Sequence, residues 1–293
     1  MLLNVTEYTR PETIAEALRL LSRPDVKAAP LAGGTLLVGQ RDDELQAIVD
    51  LRALGLNTIN EHGAQIRFGA MVTLQALVDA PLAQEMAGGI LAQAARTSAA
   101  RLIRNAATIG GTLAAGPAAN ADLSAALAAL NARAALVGQA ERAVPAEAVS
   151  AELQPGELLM EIIIERPPAN TEGAFLRVAR SPDDVALVHA AATLRIHNGV
   201  CQQASVAVGG VGMAPVRLRA AEDALAGKNV DQEQIAAAVA AGIDAFAPPP
   251  DFRASPAYRR DVAATLARRA LEQCADAARW KQLIFQYPQN GSS

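Results

Sequence analysis

Aromatic side chains are scarce in this sequence: they make up 3% of its 293 residues, although apolar residues reach 51%. Much of that apolar content is alanine, so close helix packing, not aromatic clusters, is expected to build the core. Cysteine is limited to Cys201 and Cys274, and histidine to His62, His189 and His197. Scattered singly, these side chains do not have the spacing of a zinc or iron–sulfur site, and no metal is expected within the chain. Both cysteines read as small buried apolar groups in a reducing compartment. No stretch of about eighteen residues stays apolar without a charge or turn former, which excludes a membrane-spanning helix. No basic stripe offsets the formal net charge of −4, so nucleic acid is not an expected partner. The first seven residues lack the basic stretch and apolar core of an export signal, and a cytoplasmic location is expected.

What is present suggests two or three domains. Residues 13–21 place apolar side chains at helical spacing before Pro24. Residues 28–31 read as a strand running into Gly33-Gly34, and residues 46–51 as another strand, together a small α/β unit. A second unit opens with the alternating residues 64–69 and a short capped helix over 73–80. Alanine-rich helices are expected over 86–100 and 122–130, separated by a polar, glycine-rich break at 104–116. Strands follow at 134–137 and 158–164, and Pro167-Pro168-Ala169-Asn170 is the linker candidate. Beyond it, residues 174–178, 185–196 and 204–208 form three runs of an antiparallel meander. Helical patterns at 220–225, 233–243 and 258–278 complete the chain before a polar tail.

Two glycine pairs stand where these patterns break: Ala32-Gly33-Gly34-Thr35 and Ala107-Thr108-Ile109-Gly110-Gly111-Thr112. Paired glycines let backbone N–H groups face outward without side chains in the way, and an adjoining threonine adds a hydroxyl donor, a combination suited to a diphosphate. Neither segment fits G-x-G-x-x-G or G-x-x-x-x-G-K-[ST], which argues against a nicotinamide Rossmann fold and a nucleoside triphosphatase. Taken singly, each pair also reads as an ordinary tight turn.

With their flanks, AGGTLL (residues 32–37) and IRNAATIGGTLA (residues 103–114) resemble the FAD-binding medium subunits of the xanthine dehydrogenase and carbon monoxide dehydrogenase family of molybdenum hydroxylases. The resemblance continues through PGELL (155–159), FLRVARSPDDVA (175–186) and SPAYR (255–259). It implies an α+β fold: a two-subdomain FAD-binding α/β domain of the vanillyl-alcohol-oxidase/PCMH type, then a C-terminal domain with a three-stranded antiparallel sheet and a helical bundle. The expected units span residues 1–57, 58–168 and 171–285.

The resemblance implies further that Ala32, Gly33, Gly34 and Thr35, with Leu36 beside them, and Thr108, Ile109, Gly110, Gly111 and Thr112 wrap the FAD pyrophosphate and ribityl chain through amides and hydroxyls. Asp122 would bond a flavin-side hydroxyl, a role compatible with its reading as a helix N-cap. Leu158 would lie near the isoalloxazine ring. Arg177 would present positive charge toward the flavin, the alternative being a solvated strand charge. Of Asp183 and Asp184, the second would bring a carboxylate near the flavin edge, where an aspartate bonding its own turn is the plain alternative. The chain departs from the family pattern at Leu36, Thr112 and Ser181, each altering one polar contact worth roughly 0.5–1.5 kcal/mol. Expected partners are a large molybdenum-cofactor subunit and a small subunit with two [2Fe-2S] clusters, assembled as a dimer of heterotrimers. The flavin would collect electrons from the clusters for an external acceptor. A stand-alone FAD oxidase of the vanillyl-alcohol type and a cofactor-free scaffold remain alternatives at this point.

Overall fold

The computed structural model describes residues 4–40, 42–116, 122–181, 184–248 and 250–286, so Asp183 lies outside the described residues. The first unit holds β1 (Glu7–Thr9), α1 (Ile14–Leu21), β2 (Ala28–Leu31) and β3 (Ala47–Asp50). Its sheet has the order β1-β3-β2, all parallel. The central strand AIVD is buried along its whole length, as a parallel strand covered on both faces must be. Thr13 caps α1 by accepting from the Glu16 amide at 3.2 Å. The helix then lays Ala17 and Leu20 against Val49 and Leu51.

The second unit runs through β4 (Ile59–His62), β5 (Gln65–Gly69), α2 (Leu74–Asp79), α3 (Pro81–Glu85), α4 (Ile90–Thr97), α5 (Arg101–Arg104), α6 (Ile109–Ala115) and α7 (Asp122–Ala129). It continues with β6 (Arg133–Val137), β7 (Glu141–Pro145), α8 (Val149–Glu152) and β8 (Leu158–Glu165). The sheet is antiparallel in the order β4-β5-β8-β6-β7. The helix expected over 86–100 is shorter: residues 86–89 form a turn in which Ala87, Gly88 and Gly89 all have positive φ. That left-handed run lets the chain press against residue 173, where a Cβ on Gly88 would lie 2.8 Å from the Gly173 carbonyl oxygen.

The third unit comprises β9 (Thr171–Val178), β10 (Val188–His197), β11 (Val200–Gly209), β12 (Val216–Arg217), α9 (Arg219–Leu225), α10 (Gln232–Gly242) and α11 (Pro256–Gln286). Four strands, in the order β12-β11-β10-β9, replace the three expected, because the two residues of β12 are too few to show an alternating pattern. Asn198 and Gly199, both at positive φ, make the two-residue turn between β10 and β11. This sheet is buried on both sides. Ala190, Ala192, Val206 and Val208 meet α9–α11, while Phe175, Ala191 and Ala207 join the core of the second unit. Between the rest of the second unit and this sheet lies α7, every residue of which is buried. Among the described residues, no helix is long and apolar enough to cross a membrane.

Candidate cofactor-binding site

The two glycine segments meet. Residues 106–110 run beside residues 70–74: Leu74 donates to Ala107 O at 2.8 Å, and Ile109 and Gly110 donate to Val72 O and Ala70 O, both at 2.9 Å. The first segment leaves β2 and packs so tightly on the second that a Cβ on Gly33 would sit 1.9 Å from the Ala106 carbonyl oxygen. Gly33 is therefore glycine for space, whereas Gly34, at φ +70°, is glycine for conformation. Residues 32–36, Thr108, residues 110–112 and Leu158 all line one cleft of about 480 Å³.

The two segments contribute in different ways. The amides of Gly33, Gly34, Thr35 and Leu36 donate to no protein acceptor among the described residues. The second segment is not a loop: it is α6, whose N-cap Thr108 accepts from the Gly111 amide at 3.1 Å. Its first amides are thus already used, by Val72 O, Ala70 O, Thr108 Oγ1 and, for Thr112, Thr108 O. The expected pair of amide cradles is therefore corrected to one, because residues 70–72 take the first two amides of the second set and the Thr108 cap and the helix take the next two. Gly110 serves packing: its added Cβ would meet Ala70 Cβ at 2.7 Å. Gly111 faces the first segment, with Ala32 Cβ 3.6 Å from the position of an added Cβ.

Leu51, Met71, Leu74, Ile103 and Leu159 give the cleft apolar walls around Leu158. Its one charged lining residue among those described is Glu157, which the sequence reading did not single out as a site residue. Arg142 grips both Glu157 oxygens at 2.8 Å and the Gln154 amide adds 2.9 Å. The Arg142 guanidinium holds this carboxyl well below the usual range, down to about 2. No arginine or lysine lines the cleft among the described residues, so an anion there would be held by neutral donors.

Four expected site residues stand outside the lining. Ile109 is fully buried beneath α6. Asp122 begins α7, also fully buried, with Arg177 Nε at 3.1 Å from one oxygen and His189 Nδ1 at 3.3 Å from the other. Burial pushes its carboxyl up to about 7, against the pull of Arg177 and a hydrogen bond from Thr97. Arg177 is no solvated strand charge: its side chain is 11% exposed and also donates to Thr97 O, at 3.0 Å, and to Asp184 O. The Asp184 carboxylate pairs with Arg180 at 2.8 Å, which holds its pKa down, while the next residue, Val185, lines the cleft. Arg104, part of the IRN motif, was not legible as a clamp: it donates to Arg96 O and Ala99 O at 2.8 and 2.5 Å and to Gln75 at 3.1 Å.

Residues 4–167 match the family described as the FAD binding domain in molybdopterin dehydrogenase, and residues 173–274 the CO dehydrogenase flavoprotein C-terminal domain. The chain is 34% identical to the carbon monoxide dehydrogenase medium chain of Afipia carboxidovorans over 284 residues, covering 93% of this chain and 98% of that one. It is 31% identical to subunit alpha of the 6-hydroxypseudooxynicotine dehydrogenase complex of Paenarthrobacter nicotinovorans, over 93% and 95% of the two chains. In three dimensions it is similar to a chain of carbon monoxide dehydrogenase from Hydrogenophaga pseudoflava, with a TM-score of 0.87, 30% identity, and coverage of 94% and 98%. Both halves match and the likeness runs nearly end to end, and the chain belongs to the family of FAD-binding medium subunits of molybdenum hydroxylases.

Proposed function

We propose that the cleft binds FAD and that the chain passes electrons from the [2Fe-2S] clusters of a small partner subunit to an external acceptor, while a large molybdenum-cofactor subunit oxidises the substrate. The observation that carries the site is the set of amides at residues 33–36 that no protein acceptor takes among the described residues, in the lining of the same cleft as Thr108 and Thr112. Those amides can each donate to a diphosphate oxygen with no competing side chain, and a negative group gains from donors already aligned. A cleft of about 480 Å³ falls within the range of cofactor sites. Its walls at Leu51, Met71, Leu158 and Leu159 suit a flat aromatic ring and keep water from it.

Bound FAD would supply the conversion between one-electron donors and a two-electron acceptor. The chain's own residues then hold and orient. Thr108 and Thr112 add hydroxyls beside the amides, Leu158 packs on the ring, and Glu157, fixed by Arg142, stays ionised at neutral pH and braces the turn before β8. Asp122, Arg177 and Asp184 act from behind the wall. The first two sheets would be the two subdomains of a vanillyl-alcohol-oxidase-type FAD domain, with units at residues 1–57, 58–168 and 171–285. Assembly as a cytoplasmic dimer of heterotrimers follows the same reading.

The purified chain, reconstituted with FAD, should turn yellow with stoichiometric flavin and absorb near 450 nm, as flavins do. Affinity purification from its native host should bring down two partner chains with iron and molybdenum. A colourless chain under saturating FAD would refute the cofactor assignment. Flavin without such partners would return the choice to a stand-alone oxidase.

A further inference from the structure

The C-terminal end of α4 lies at the cleft, where the next two residues, Ser98 and Ala99, form part of the wall. The last carbonyls of a helix carry partial negative charge. Here two arginines from opposite halves of the chain take up two of them, Arg96 O and Thr97 O, and one carbonyl just beyond the helix, Ala99 O. Arg104, just before the second glycine segment, donates to Arg96 O and Ala99 O; Arg177, on β9, donates to Thr97 O. Each guanidinium is anchored elsewhere as well, Arg104 on Gln75 and Arg177 on Asp122 and on Asp184 O. Three separate stretches of wall, residues 98–99, Ile103 and Val185, therefore adjoin these two side chains or groups that they hold.

The geometry points to Arg104 and Arg177 as positioning residues that set the reduction potential of the flavin, by capping the carbonyl end of α4 at the cleft wall and fixing that wall in place. The inference rests on the FAD assignment above. Reduction adds negative charge to the ring system, and carbonyl oxygens left uncapped at the wall of the same cleft would oppose that charge. A guanidinium fork can serve several acceptors at fixed angles. A lysine ammonium keeps the charge but cannot span acceptors on three separate segments. The reading therefore differs from one in which Arg177 merely supplies a positive charge.

The test uses the full chain loaded with FAD and the variants Arg177→Lys, Arg104→Lys and, as a structural control at the far end of α7, Thr193→Val, which removes the hydrogen bond to Ala129 O. The ratio of affinities for oxidised and reduced FAD is read from the flavin midpoint potential. Each lysine variant should shift that ratio about tenfold toward the oxidised form, a fall of about 30 mV for a two-electron couple. Thr193→Val should leave it within twofold. Wild-type potential in either folded lysine variant would overturn the inference, and so would an equal shift in Thr193→Val. Should Arg177→Lys fail to fold, the half-buried Arg104→Lys decides alone. If the wild-type chain takes up no FAD, the fault lies with the cofactor assignment instead.

Discussion

Gly33→Ala replaces a hydrogen with a methyl group at the point where the two glycine segments touch. The new Cβ would lie 1.9 Å from the Ala106 carbonyl oxygen and 2.6 Å from its carbon, against 3.4 Å for an ordinary contact. Both obstacles are backbone, so one segment must retreat by more than an ångström. Residues 106–110 are tied to residues 70–74 by hydrogen bonds, and the first segment, with its unclaimed amides, is the part free to move. Overpacking of this kind costs about 1–3 kcal/mol of stability. Displacing two amides from a diphosphate forfeits roughly 1.5–3 kcal/mol each, which is about 100- to 10,000-fold in affinity. Gly34→Ala is the control: at φ +70° it strains the backbone by about 1–2 kcal/mol, but its nearest obstacle is the movable Leu31 Cδ1 at 3.2 Å. Its FAD affinity should fall by less than about tenfold. Fluorescence titration of FAD, paired with thermal unfolding of the cofactor-free chains, separates the two. Wild-type affinity in Gly33→Ala would refute the reasoning, since the segments would then not need to touch for the cofactor to bind.

The same logic splits the second pair: Gly110→Ala, 2.8 Å from Ala70 O, should lower the melting temperature of the cofactor-free chain, whereas Gly111→Ala, nearest to Thr108 Oγ1 at 3.0 Å, should chiefly weaken FAD binding. Equal melting temperatures would contradict that division. Glu157 titrates near 4.5 when unfolded and about 2 when folded, so its contribution is present above pH 4.5 and lost as pH falls toward 2. Glu157→Gln should flatten the melting temperature over that window, and an unchanged slope would count against the Arg142 grip. Asp122 has the opposite sign: its folded value of about 7 lies above the unfolded 3.8, so the native state binds the extra proton and stability falls as pH rises from about 4 to 7. Calorimetry of the cofactor-free chain should show that decline, and Asp122→Asn should remove it.

Local patterns were legible where one element decides its own form. Residues 28–31 were placed as a strand from four residues, and Thr13 and Thr73 mark the starts of α1 and α2 through their own hydroxyls. The glycine segments were legible as site residues, but their division of labour was not. Whether Gly110 offers its amide to a ligand or to Ala70 O depends on a chain segment forty residues away. Short strands such as β1 and β12 give too few residues for a period to register. Arg104, Arg142 and Arg177 carry no signal of their acceptors, which are backbone carbonyls or carboxylates brought near only by the fold.

The cleft belongs to the N-terminal half, yet its rigidity comes partly from the other. At one end of α7, Asp122 is gripped by Arg177 of β9; at the other, Ala128 O and Ala129 O accept from Arg217 and Thr193 of the same sheet. With Leu123 and Leu127 fully buried between them, α7 has no face left for solvent, and the half that carries the glycine segments cannot bury it alone. A ligand that binds only the native chain stabilises whatever must be folded to form its site. Occupancy of the cleft should therefore raise the unfolding temperature of the C-terminal sheet together with that of the glycine segments, in one transition. Two transitions, only one of them moved by FAD, would mean that α7 does not join the halves as its burial requires.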